Sequence, residues 1–226
     1  MLVLGTLALT SGAKESELHF LAPNTPSAAE LLSPPPLLGS PEQLADLETV
    51  RRVYQAATDG DKQAAYDEKK FSVFNFTSAV GPWFTSTNLP LTTAFFEKVQ
   101  LDAETVTDLG KDHFQRPRPF MTDPSLANGT KLEKSFSYPS GHSTESMVLA
   151  LVLADLLPDK HDDIVAHARL MGWHRVQIAR HYPSDIFAGR TLAQNIARSF
   201  KDNAEFAKEF AAAKAEIAAV QAAAKN

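Results

Sequence analysis

The 226-residue chain contains no cysteine. Disulfides, thiolate nucleophiles and zinc sites built on cysteine are therefore excluded, although that absence alone does not fix the compartment. Positive charge is not in excess either. Lys and Arg number 22 against 27 Asp and Glu, a formal net charge of −5, and the sequence pI is near 5.8. A general nucleic-acid binder needs a broad basic face, so that class is set aside, while a small anionic substrate in a local cationic pocket stays open. No stretch approaches the ~20 consecutive apolar residues that span a bilayer, so integral membrane association is not expected. Strand signals are weak throughout, and there is no internal repeat. With 44% apolar and 22% charged residues, one good-sized core in a single domain is the expectation.

The first 13 residues stand apart. Met1 to Thr10 is a short apolar run followed by the small residues Ser11-Gly12-Ala13 and then Lys14-Glu15. It is similar to a secretory signal peptide without its basic start, which points to a periplasmic or secreted protein. Residues 14–40 are proline-rich, with Ser33-Pro34-Pro35-Pro36 in the middle, and are expected to lie extended over the surface.

From 41 to 226 the helical signal dominates. Ser40-Pro41-Glu42 has the form of a helix start, with serine at the N-cap and proline at the first helical position. Leu44, Leu47, Val50 and Val53 follow at helical spacing. Further helices are expected over 61–74, 91–109, 143–157, 161–178, from Pro183 to about Phe200, and over 203–224, the last an alanine-rich terminal helix. Residues 121–138, with Asp123-Pro124 and Asn128-Gly129, read as a loop. The fold class is all-α, a single-domain helical bundle.

Chemistry-bearing residues concentrate in three segments: Lys111 to Pro119, Pro139-Ser140-Gly141-His142, and Arg175 to Asp185. In the second, proline and glycine make a tight turn feeding an apolar helix. Such a helix start presents free N–H groups and the positive dipole end to an anion, with Ser140 as a further donor and His142 alongside. In the third, Pro183 sits in a first helical turn, which puts Asp185 within reach of His181. A carboxylate on one ring nitrogen fixes the tautomer and frees the other nitrogen to attack. Arg175, Lys111 and the proline-flanked Arg118 are candidate phosphate clamps. Each segment alone also fits an ordinary capped helix or a solvated basic loop; the three together do not.

The pattern Lys-x6-Arg-Pro, Pro-Ser-Gly-His, Arg-x5-His-x3-Asp resembles the three-part signature of the phosphatidic acid phosphatase type 2 and vanadium haloperoxidase superfamily. Within it the chain is most similar to the class A bacterial non-specific acid phosphatases. Arg116, Phe120, Ser137-Tyr138, Ala188-Gly189-Arg190 and the proline stretch 32–40 add to the likeness. The resemblance implies a metal-independent acid phosphatase without cofactor that hydrolyses small phosphate monoesters. His181 would be the nucleophile forming a phosphohistidine, Asp185 its orienting group, and His142 the acid for the leaving alcohol and then the base for water. Lys111, Arg118, Ser140, Gly141 and Arg175 would hold the phosphoryl oxygens. The family resemblance also implies a homo-oligomer, with phosphotransfer to alcohols open to any phosphoenzyme. Vanadate is expected as an inhibitor. In the alternative reading, a vanadium-dependent haloperoxidase, it would be the cofactor; a lipid phosphatase is the other alternative. One position departs from the family pattern: His174 stands where serine usually precedes the arginine. Arg116, Arg180 and His113 are not expected to touch phosphate, and the pocket mouth is looked for in 121–138 and 75–90.

Overall fold

A computed structural model describes residues 18–22, 24–127 and 132–224. The apolar stretch 1–13, expected to act as a leader, and the Asn128-Gly129 turn lie outside the described residues. The described chain is all-α, without a strand. Its helices are α1 (Ala28–Leu31), α2 (Pro41–Ala56), α3 (Asp59–Asp67), α4 (Thr77–Val80), α5 (Pro90–Phe114), α6 (Pro119–Thr122), α7 (Gly141–Leu156), α8 (His161–Gln177), α9 (Pro183–Phe200) and α10 (Ala204–Ala223). Short 3₁₀ turns cover Val73–Phe76, Pro124–Leu126 and Pro158–Lys160.

Local chemistry explains most boundaries. Pro41, Pro90, Pro119 and Pro183 each occupy the first turn of a helix, where no N–H is missed. The Ser40 hydroxyl caps α2 by accepting from the Gln43 N–H, and the Asn203 side chain caps α10 by accepting from the Phe206 N–H. The long helix α5 ends on Gln115 in a left-handed conformation, φ 50°, which turns the chain into the Arg116-Pro117-Arg118 segment. Its own start is capped from a distance, because the Glu216 carboxylate of α10 accepts from the Leu91 and Thr92 N–H groups at 2.9 and 2.8 Å.

Helix α7 is the centre of the bundle. Val148, Leu149 and Ala150 are consecutive and all buried, which a one-faced surface helix cannot achieve. It packs against α8, α9 and α5, with α10 docked on α5. Gly189 brings α9 onto the start of α7: a Cβ there would lie 2.9 Å from the Ser140 carbonyl and 3.0 Å from the Ser143 Cβ. This close approach joins the His142 end of α7 to the His181–Asp185 end of α9. A second apolar cluster, built on Leu47, Val50, Val176, Tyr182 and Ile186, seats α2 over α8 and α9.

Three expectations are corrected. The proline-rich segment does not merely lie across the surface: Phe20, Leu21, Ala28 and Leu32 belong to the main core. The buried Asp102 carboxylate accepts from the backbone N–H groups of His19, Phe20 and Leu21 at 2.7, 2.8 and 3.0 Å. Phe20 also packs on Phe95, Phe200 and Phe206. The expected 61–74 helix is instead α3 followed by a separate 3₁₀ turn, and the 121–138 loop carries two short helical turns near its start.

Candidate active site

The three segments converge on one cavity of about 430 Å³. Lys111 comes from the last turn of α5, Arg118 from the segment after it, His142 from the first turn of α7, Arg175 from the end of α8, and His181 from the bend before α9. All five line the cavity together with Gly141.

His181 is almost fully buried, and its tautomer follows from its neighbours. Nδ1 lies 2.8 Å from the Ser137 carbonyl oxygen, which can only accept. Nε2 lies 3.2 Å from Arg118 Nη1, which can only donate. The proton therefore sits on Nδ1, and the Nε2 lone pair is on the cavity side. Burial, and then Arg118, Lys111 and Arg175, hold the His181 pKa well below its usual value, so the ring is a neutral nucleophile.

The expected direct hold of Asp185 on the imidazole is corrected. Asp185 Oδ2 is 3.5 Å from Nδ1, and the short bond at that nitrogen goes to the Ser137 carbonyl instead. The Asp185 carboxylate accepts from the Ser137 hydroxyl at 2.6 Å, the Tyr182 N–H at 2.8 Å and Arg116 Nη1 at 2.6 Å. It fixes the imidazole through its partner Ser137 and through the bend that carries it. Arg116 thus supports the site without lining the cavity. Its other guanidinium nitrogen pairs with Asp46 at 2.9 Å, and its plane lies 3.9 Å over the Tyr182 ring.

Arg118 is equally constrained. Its Nε and Nη2 donate to the Ser135 carbonyl and hydroxyl, and its Nη1 to the Arg180 carbonyl. Arg175 Nη1 donates to the Ala65 carbonyl at 2.6 Å, while its buried Nε has no hydrogen-bond partner among the described residues. Burial lowers the Arg175 pKa to about 10, which leaves it charged at neutral pH. A charged guanidinium lining the cavity favours an anion there. Lys111 pairs with the exposed Asp108, at 2.7 Å.

Gly141 opens α7. A side chain there would sit 3.2 Å from both Lys111 Nζ and Glu145 Oε1, so its absence lets the lysine lie over a helix N-terminus. Ser140 does not line the cavity, and as an N-cap its oxygen accepts, a bond that does not use its O–H as a donor. It is fully buried and serves as the α7 N-cap, its Oγ 3.4 Å from the Ser143 N–H and its own N–H donating to the Asp185 carbonyl.

His142 Nε2 lies 3.0 Å from the Glu68 carbonyl. That oxygen accepts, so Nε2 carries a proton and Nδ1 is left for the reacting one. Burial, Arg175 and His181 hold the His142 pKa well below the usual value. His113 is exposed and packs on Phe114, away from the cavity.

The mouth agrees with one of its two expected segments. Ser135 and Glu133 contribute from the loop, but 75–90 does not; the wall is completed by Lys69, Lys70, Phe71, Gln100, Glu104 and Glu145, with the Gln100 amide donating to the Phe71 carbonyl at 3.4 Å. Burial and the neighbouring Glu104 push the Glu145 pKa up to about 7. Sequence reasoning missed Glu68, Gln100 and Glu145. Only Glu145 carried a signal, three residues after His142 and so on the same face of α7.

Comparison with known proteins agrees with this geometry. The PAP2 superfamily matches residues 91–201, which contain all three segments. A non-specific acid phosphatase from Providencia stuartii is 32% identical over 202 residues, covering 83% of this chain and 79% of that protein. The chain belongs to the PAP2 superfamily. Within that superfamily it stands with the class A acid phosphatases. An acid phosphatase of Zymomonas mobilis is 27% identical over 96% of this chain and 88% of its own length. A non-specific acid phosphatase of Salmonella typhi is 28% identical over 70% and 67%. Membership also frames the absence of spanning helices: among the described residues, no helix of this PAP2 chain is long and apolar enough to cross a membrane.

Proposed function

We propose that this PAP2 protein hydrolyses small phosphate monoesters without a metal, through a phosphohistidine on His181. The observation that carries the reading is the locked His181 tautomer, with its Nε2 lone pair on a cavity walled by Lys111, Arg118 and Arg175. The phosphoryl oxygens are held by these cations and by the Gly141 N–H, which supply the charge stabilisation that phosphoryl transfer demands. Nε2 attacks phosphorus, the ester P–O bond breaks, and the leaving oxygen takes the Nδ1 proton of His142. In the second half, His142 removes a proton from water, the oxygen attacks phosphorus, and the P–N bond breaks to restore the Nε2 lone pair. An alcohol in place of that water gives phosphotransfer.

His142 must be doubly protonated for the first step, because its Nε2–H is committed to Glu68. The bound phosphoryl group supplies the negative charge that raises its pKa, and an acidic optimum follows. Vanadate, with the same charge and oxygens, acts as a competitive inhibitor. The apolar run 1–10 and the Ser11-Gly12-Ala13 site support export to the periplasm or medium, and family likeness supports a homo-oligomer.

The test is hydrolysis of p-nitrophenyl phosphate at pH 5–6 with excess EDTA, beside His181→Ala. Turnover that survives chelation and disappears in the variant supports the reading. A folded parent without turnover refutes it, and bromide oxidation with added vanadate is then assayed.

A further inference from the structure

His174, where the family pattern has serine, lies next to the phosphate-binding Arg175 and is nearly buried. Its Nδ1 is 2.9 Å from each oxygen of the Glu68 carboxylate. Glu68 is the C-cap residue of α3, and its backbone carbonyl is the acceptor for His142 Nε2. One residue therefore touches both histidines, by its side chain on one side and by its main chain on the other. Helix α3 cannot hold that carbonyl in place unaided. It has nine residues, the sequence Asp-Gly-Asp-Lys-Gln-Ala-Ala-Tyr-Asp, and Ala65 as its one buried position. Isolated helices of this length are marginal, and their last turn frays. Its C-terminal end is tied to α8 by consecutive residues, Arg175 to the Ala65 carbonyl and His174 to the Glu68 carboxylate. The His174 and Glu68 side chains are 7% and 10% exposed, so water competes poorly for the bond. Asp61 on α3 and His167 and Arg175 on α8 are ionisable groups near the pair.

We propose that His174 and Glu68 form a positioning pair for His142: the buried bond between them anchors the end of α3 so that the Glu68 carbonyl holds Nε2 and aims Nδ1 at the leaving oxygen. This rests on the acid role given to His142 above. Neither residue touches the substrate. The pair acts on the step in which the leaving group takes a proton, and leaves phosphate binding to Lys111, Arg118 and Arg175.

Leaving-group dependence separates this from simple structural support. A dinitrophenolate departs without protonation, whereas an alkoxide needs the acid. The measured quantity is kcat/KM, which ends at release of the leaving group, for 2,4-dinitrophenyl phosphate and for β-glycerophosphate. Parent, His142→Ala, His174→Ala, His174→Asn and Glu68→Ala are compared, with the Ki of inorganic phosphate alongside. General acids supply roughly 10²–10⁴-fold, so a misaimed His142 is expected to lower the alkyl ester about tenfold in His174→Ala, with the dinitrophenyl ester and the phosphate Ki within about twofold. Asn places an amide N–H near the position of Nδ1 and should restore most of the loss. Should His174→Ala not fold, Glu68→Ala breaks the same bond from the other side. Equal losses for both esters, an unchanged alkyl ester, or a phosphate Ki that rises in step overturns the proposal. A parent inactive on both esters refutes the phosphatase reading itself. A parent whose His142→Ala variant shows the leaving-group pattern while the His174 and Glu68 variants do not refutes only the pair.

Discussion

Replacing Glu145 by glutamine probes the electrostatics of the pocket wall. The Glu145 carboxyl is pushed up to about 7 by burial and by Glu104, against the hydrogen bond from Gln100 and the nearby Lys111. A folded-state value above the unfolded 4.5 means that the folded protein binds this proton more tightly than the unfolded chain does. Below pH 4.5 both states are protonated and nothing is lost. Between 4.5 and about 7 the folded state loses stability progressively, and above that the loss is complete. At about 1.4 kcal/mol per unit, the rise from 4.5 to about 7 sets an upper bound of about 3.5 kcal/mol. The side chain is partly exposed on an open cavity, so solvent screening reduces the expected figure to about 1–2 kcal/mol. A glutamine side chain cannot ionise and escapes the loss. For a chain of this size that corresponds to a Tm about 3–6 °C above the parent at pH 8, shrinking to no difference at about pH 4.5. Ligand-free thermal unfolding of the parent and Glu145→Gln across this pH range is the assay. A Tm difference that is constant with pH, or that favours the parent at pH 8, refutes the reasoning.

Other perturbations follow from the same geometry. Gly189→Ala drives a methyl to 2.9 Å from the Ser140 carbonyl; overpacking of this kind costs about 1–3 kcal/mol, and denaturant unfolding together with kcat should both fall, because the two ends of the site are joined there. Asp185→Asn removes one of the two carboxylates paired with the buried Arg116 guanidinium, at 2.6 Å, while Asp46 stays at 2.9 Å; a loss of about 1.5–3 kcal/mol in urea unfolding is expected, the range of a charged hydrogen bond and below that of a fully unpaired buried charge, with kcat reduced along with it. Phe20→Ala should cost about 3–5 kcal/mol, since the ring packs against Phe95, Phe200 and Phe206; a near-neutral result would show that the N-terminal segment is not part of the core.

The fold was largely legible in the sequence wherever a helix announced its own start. Pro41 after Ser40, Pro183 before Asp185 and Asn203 before α10 all mark boundaries by local rules of capping and proline geometry. The N-terminal segment is not legible in the sequence because its anchor is not local. Asp102, far along the chain, collects the N–H groups of His19, Phe20 and Leu21, and no periodicity in 14–40 signals that. The site divides in the same way. Lys111, Arg118, Gly141, His142, Arg175 and His181 are brought together as the three segments indicated, because each sits at a helix end or in a rigid turn. The partners of those residues were not legible. Ser137 holds His181 by its carbonyl, and Glu68 holds His142 by its carbonyl; a backbone acceptor has no residue-type signature.

The central claim is that His181 Nε2 carries the phosphoryl group during turnover. Mixing enzyme with p-nitrophenyl phosphate at pH 5–6 in EDTA, quenching in alkali where phosphohistidine survives, and mapping the modified peptide by mass spectrometry tests it directly. The account predicts phosphate on the peptide containing His181, lost with His181→Ala and replaced by phosphorylated alcohol when glycerol is added. Rapid turnover with phosphate on another residue, or undiminished turnover in His181→Ala, would contradict it.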